Sequence, residues 1–96
     1  MYTVLATKQV AKESRRRGKK YYQQVLKIFN ILASDPIPQK SERLSGELNF
    51  IYSYHFNFAG GAHRLCYTIK ESEKTIIVVM VGPRENFYKI LKQKLS

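Results

Sequence analysis

Negative charge is what this sequence has least of: seven Asp and Glu stand against seventeen Lys and Arg, a formal +10. Self-repulsion of that size makes an anionic counterpart the natural partner, although composition does not separate RNA, DNA, anionic lipid and acidic protein. The few acids are scattered. A two-metal nuclease needs several converging carboxylates, so that chemistry is disfavoured, and neither an HExxH pair nor a phosphate-cradling glycine loop is present. The lone cysteine, Cys66, leaves no intrachain disulfide and no cysteine cluster for zinc, which fits a reducing, cytoplasmic setting. No run approaches the roughly 18 apolar residues of a membrane span, and the N-terminus lacks the cationic start and apolar stretch of a secretion signal. Neither a membrane partner nor a cofactor is expected.

What is present suits a packed core. The chain is 44% hydrophobic, with seven Tyr and five Phe. A folded chain of 96 residues buries roughly two-thirds of the surface it exposes when unfolded, enough for one core and too little for two. A single domain over residues 1–96 is expected.

Tyr2 to Ala6 reads as a first or edge strand. Thr7 can cap a helix holding Val10 and Ala11, whose outer side carries Lys8, Lys12, Arg15, Arg16 and Arg17, and Gly18 ends it. From Lys19 to Ala33, Tyr21, Tyr22, Val25, Ile28, Phe29 and Leu32 recur every three or four residues, the period of an amphipathic helix. Asp35-Pro36-Ile37-Pro38 stops it, because proline lacks an amide donor and restricts the residue before it. After a polar connection the period becomes two. Leu48, Phe50, Tyr52, Tyr54, Phe56 and Phe58 form one side of a strand that packs on the helices, leaving Ser53 and His55 on the other. Ala59 to Ala62 is a turn. His63 to Ile69 is a second strand with Leu65, Tyr67 and Ile69 on the core side and Arg64, Cys66 and Thr68 opposite. Lys70 to Lys74 turns the chain into Thr75 to Val81, whose nearly unbroken apolar content marks a central strand. Gly82-Pro83 closes that strand, and Arg84 to Leu95 reads as a terminal helix. The class expected is α+β: a small antiparallel sheet packed against an N-terminal helical hairpin, with a short C-terminal helix.

Chemistry without a metal is feasible on RNA, which carries its own nucleophile. Attack of the 2′-hydroxyl on the adjacent phosphate requires alignment, a proton acceptor and donor, and stabilisation of the phosphate charge. Arg64 and Arg84 suit the phosphate, since arginine stays charged and offers paired donors. His55 suits proton transfer near neutrality. Tyr88 offers a stacking surface, and Glu47 is a reserve base. Each has an ordinary alternative: a surface ion pair for Arg64, helix-start geometry for Arg84, a partly buried structural histidine for His55, packing for Tyr88. His63 alternates onto the core side, where a structural role is the stronger alternative. The seven cations from Lys8 to Lys20, with Lys19 and Lys20 among them, can contact RNA phosphates, form a solvated helix face or meet acidic residues of a partner.

Asp35-Pro36 after the helical hairpin, Leu44-Ser45-Gly46-Glu47-Leu48, Tyr52-Ser53, His63-Arg64-Leu65-Cys66-Tyr67 and the run from Val81-Gly82-Pro83-Arg84 to Phe87-Tyr88 resemble, in order and spacing, the RelE/ParE superfamily of type II toxins. The resemblance covers essentially the whole chain. It implies a small antiparallel sheet against helices, and neutralisation by a cognate antitoxin whose complex with the toxin represses the shared operon on its operator DNA. It implies either ribosome-dependent endoribonuclease activity on messenger RNA or, for other members, action on DNA gyrase; a noncatalytic binding module is a third possibility. In the ribonuclease branch Arg64 and Arg84 match arginines that handle phosphate, and Tyr88 matches an aromatic that positions the substrate. Two lysines of the strand before the turn are replaced by Ser53 and His55, which leaves Ser53 as an expected RNA contact and His55 as the base. His63 resembles a histidine that orients RNA.

Overall fold

The computed structural model describes residues 1–85 and 87–95. Strand β1 (Thr3–Ala6) leads into helices α1 (Lys8–Arg16) and α2 (Lys19–Ser34), then β2 (Ser41–Arg43), β3 (Tyr52–Phe58), β4 (Gly61–Lys70), β5 (Thr75–Pro83) and helix α3 (Phe87–Leu95). The five strands form one sheet in the order β1-β5-β4-β3-β2. The α+β class is the expected one, but the sheet is mixed: β1 runs parallel to β5, and the other pairings are antiparallel. The hairpin of α1 and α2 carries the chain away from β1, so its partner is the late strand β5 rather than its sequence neighbour.

Local signals account for the helices. The Thr7 side chain accepts from the Val10 amide at 3.2 Å and caps α1, and Gly18, at φ 107°, makes the break that a side chain would resist. On α2, Tyr21, Val25, Ile28 and Leu32 are buried at spacings of four, three and four, the inner stripe of the amphipathic pattern. Asp35 ends the helix, and the loop after it is held by the buried Tyr67, whose hydroxyl donates to the Pro36 carbonyl at 2.7 Å and lies 2.8 Å from the Ser41 hydroxyl.

Each face of the sheet has its own core. The hairpin covers Tyr54, Phe56, Leu65, Tyr67, Ile76, Val78 and Val81. Helix α3 covers the other face, where Phe87 and Leu91 meet Leu48, Ile51, Cys66 and Met80. The strands alternate between these cores with one exception. In β5 the register slips: Cys66 faces Met80 while Tyr67 faces Val78, so Val79 is an extra residue in a β-bulge. Val79 and Met80 both turn toward α3, and the parity of everything after them is reversed.

Three boundaries differ from expectation. The alternating run becomes strand only at Tyr52: Gly46–Leu48 forms a 3₁₀ turn, Leu48 packs beneath α3 and Phe50 is exposed. The polar connection before it contains β2, whose short polar sequence carries no strand period of its own. The terminal helix begins at Phe87, so Arg84 lies in the bend before it.

The β3–β4 turn has two central residues, Ala59 at φ 51° and Gly60 at φ 78°. Positive φ at both is the type I′ geometry that matches strand twist, and alanine tolerates it poorly at the first. Replacing Ala59→Asn, which makes the favoured Asn-Gly pair, should stabilise the fold by about 0.5–1 kcal/mol. The midpoint of urea unfolding, at unchanged m, measures it.

Candidate active site

On the face shared with α3, antiparallel pairing sets His55 of β3 directly opposite Arg64 of β4, and Arg64 opposite Gly82 of β5. Directly paired residues project to the same side. The Arg84 amide donates to the Ala62 carbonyl at 3.0 Å, so the ladder runs one step past β5 and puts Arg84 on that side as well. Adjacent strands are about 5 Å apart and two residues advance about 7 Å, so two long arginine side chains can reach one phosphate from these positions. The bulge at Val79 decides this. Without the extra residue, Arg84 would fall on the hairpin face.

The side chains around His55 are specific. Arg64 Nη1 donates to His55 Nδ1, and the same nitrogen is 3.1 Å from Nε2. On its other side His55 Nε2 lies 3.0 Å from Glu42 Oε1 of β2. The Arg64 guanidinium carbon sits 5.5 Å from the centre of the Tyr88 ring, within cation–π range, which ties α3 to the site. Arg64 Nε is buried and finds no hydrogen-bond partner among the described residues. Open depressions flank the group. One of about 330 Å³ is lined by Glu42, Arg43, Leu44, Ser45, Leu48 and Tyr88, and another of about 250 Å³ includes Lys40, Asn57, His55 and Arg64. The His55 side chain is 37% exposed, open to a ligand from solution.

Four of the expected residues thus share one face: His55, Arg64 and Tyr88 in a contiguous group, and Arg84, exposed in the bend after β5 and backbone-paired with Ala62. Glu42 is the member that sequence reasoning missed. It lies in a stretch without strand periodicity, and nothing local pairs it with a residue thirteen positions away. Glu47, the reserve base, is exposed on the 3₁₀ turn.

Two expected RNA contacts are corrected. Ser53 is fully buried beneath α3 against Cys66, too deep to meet a nucleic acid. Burial pushes the Cys66 thiol up to about 12, with the Ser53 hydroxyl and the Arg64 charge pulling the other way. His63 points to the opposite face from Arg64. Its Nδ1 lies 2.9 Å from the Tyr21 hydroxyl, and its ring packs against Phe56 and Phe58. The basic cluster is carried by the hairpin, whose α1 also borders a depression shared with the end of β5 and α3. Lys8, Lys12, Arg15, Arg16, Lys19 and Lys20 are exposed, while Arg17 is held by Glu13 at 2.7 Å and lies over the Tyr21 ring. Among the described residues, no three His, Cys, Asp or Glu side chains converge on a metal-sized site, and no helix is long and apolar enough to cross a membrane.

The model of the ParE-like toxins of type II bacterial toxin–antitoxin systems matches residues 4–92. The chain belongs to that family. The fold of this ParE-like toxin recurs in solved structures from the RelE/ParE superfamily. A chain of the RelBE2 toxin–antitoxin complex of Mycobacterium tuberculosis superposes with a TM-score of 0.74 at 21% identity, over 86% of this chain and 98% of that one. The archaeal RelE–RelB complex of Pyrococcus horikoshii gives 0.67 at 26% identity, over 88% and 96%. The isolated RelE toxin of Escherichia coli gives 0.68 at 19% identity over the full length of both chains. Comparison with curated proteins finds no match.

The place of His63 in this toxin has a measurable consequence. Burial, and then the Arg17 charge, hold its imidazole below the ordinary 6.5, so it folds in the neutral form. The unfolded chain takes up the proton first, so this contribution to stability is complete above about pH 6.5 and is lost as pH falls through the folded value. The urea midpoint should drop from pH 7.5 to pH 5.5, and a His63→Phe variant should drop less.

Proposed function

We propose that this toxin is a metal-independent endoribonuclease that cleaves messenger RNA on the ribosome, in the cytoplasm, and is neutralised by a cognate antitoxin. The observation that carries the reading is the solvent-open group of His55, Arg64 and Tyr88, with Arg84 on the same face. It combines a proton acceptor, two fixed positive charges and a stacking surface, which is what cleavage through the 2′-hydroxyl requires. In the step proposed, the 2′-oxygen bonds to phosphorus as its proton passes to His55. The bond from phosphorus to the 5′-oxygen breaks, and that oxygen takes a proton from water. The products are a 2′,3′-cyclic phosphate and a 5′-hydroxyl. Arg64 and Arg84 hold the phosphate oxygens, and Tyr88 stacks on a neighbouring base.

The exposed cations are carried by the hairpin and not by the strands and helix that hold this group, and in this reading they do not touch the scissile phosphate. They serve as a docking surface for ribosomal RNA, where several lysines and arginines together bind in a salt-sensitive way. Operator DNA is reached only through the complex with the antitoxin.

The test is incubation of the purified chain with translating ribosomes, followed by mapping of messenger-RNA ends. Toxin-dependent cuts ending in cyclic phosphate are expected, and Arg64→Ala and Arg84→Ala should each reduce the rate by about a hundredfold or more. Activity should survive removal of transition metals while magnesium is kept at the level ribosomes need. Inhibition of gyrase without RNA cleavage would overturn the reading.

A further inference from the structure

The groups around His55 specify more than a base. Charged neighbours reach it from two flanks: Glu42 on β2 and Arg64 on β4. Tyr88 of α3 is engaged through Arg64, and Lys40, which lines the nearby depression, meets His55 through its backbone carbonyl, 3.0 Å from the His55 amide. Nε2 lies 3.0 Å from the Glu42 carboxylate, which only accepts, so the proton of the neutral ring is on Nε2 and the lone pair on Nδ1. The Arg64 guanidinium, which has N–H donors and no acceptor, lies against the same ring, nearer to Nδ1 than to Nε2. Glu42 selects the tautomer, and Arg64 covers the nitrogen left unprotonated.

The lone pair that a base needs is therefore covered in the free protein, and the group covering it is the one suited to the phosphate. Arg64 is also incompletely satisfied, because its buried Nε finds no partner among the described residues. A phosphate can take Nε and an Nη together as a bidentate pair, a stronger bond than an arginine makes to a neutral imidazole.

We propose that Glu42 is the positioning residue of His55, and that a phosphodiester arriving at Arg64 uncovers Nδ1 as the base. The inference rests on the RNA-cleaving reading above. As the guanidinium turns to the phosphate, Nδ1 becomes free to take the 2′-hydroxyl proton while the 2′-oxygen bonds to phosphorus. Glu42 stays on Nε2–H and stabilises the imidazolium as it forms, the part a carboxylate plays beside the histidine of a Ser-His-Asp triad. A site built this way keeps its base covered until the substrate is in place.

Nitrogen NMR of the full chain carrying ¹⁵N-histidine reads the arrangement directly. The free protein is expected to show His55 protonated on Nε2 and unprotonated on Nδ1. An RNA oligonucleotide with 2′-deoxy substitution at the cleaved position should move the Nδ1 resonance, and Arg64→Ala should produce that movement without RNA. Glu42→Gln still offers a carbonyl to Nε2–H but no charge, so it should retain the tautomer and lower kcat about tenfold to a hundredfold with little change in KM. Glu42→Ala should lose the tautomer preference as well, and Glu42→Asp should recover part of the rate. The Glu42 side chain is 61% exposed, so these variants should fold. A free-protein proton on Nδ1, or cleavage by Glu42→Gln and Glu42→Ala at the parent rate, would overturn the inference while the cleavage reading stands. No cleavage by the parent chain overturns the reading on which it rests.

Discussion

One extra residue, Val79, sets the direction in which the end of β5 faces. Before it, β5 alternates with Ile76 and Val78 on the hairpin core; after it, Val81 is on that core while Met80 lies under α3. A strand that kept its phase would send Met80 into the hairpin core and Arg84 onto the hairpin face. The bulge is tolerated because β5 is apolar on both sides and two helical layers cover it, so either phase buries hydrocarbon. Its consequence is the alignment of Gly82 with Arg64, and of Arg84 with the row beyond.

Arg64 is the hub of that face. It touches His55 from β3 and Tyr88 from α3, and through His55 it is linked to Glu42 on β2. Four elements thus converge on one guanidinium. Beside it on β3 and β4, Ser53 and Cys66 are fully buried. The hairpin side is built differently. There Tyr21, Phe56, Phe58 and His63 form an aromatic group closed by one polar contact, and the cations stand outside it. The positive charge of the chain is thus divided between a compact group of few charges around Arg64 and a broad helical surface of many.

Much of this was legible because the physical signals are local. The cap at Thr7, the break at Gly18, the stripe of Tyr21, Val25, Ile28 and Leu32 and the proline stop are each written within a few residues, and so is the alternation of β3 and β4 that puts His55 and Arg64 on one side. What failed was non-local. Ser41–Arg43 is a strand only because β3 offers it a ladder, and Ser53, set between Glu42 of β2 and Cys66 of β4, is buried on a face that α3 covers at Cys66. Parity read alone cannot tell a polar face that meets water from one covered by a distant helix.

The sequence by itself determined the helical hairpin, the alternation of β3 and β4, the apolar β5 and the concentration of cations between Lys8 and Lys20, because each depends on the periodicity or capping chemistry of neighbouring residues. The tertiary structure alone decided that β1 pairs parallel with β5, that Glu42 reaches His55, and that Arg84 shares a face with Arg64. Those three depend on sheet register, and register is fixed by which cores the side chains fill. The placement of Arg84 turns on a single bulged valine in a run where every residue is apolar, so no polar–apolar contrast marks the slip.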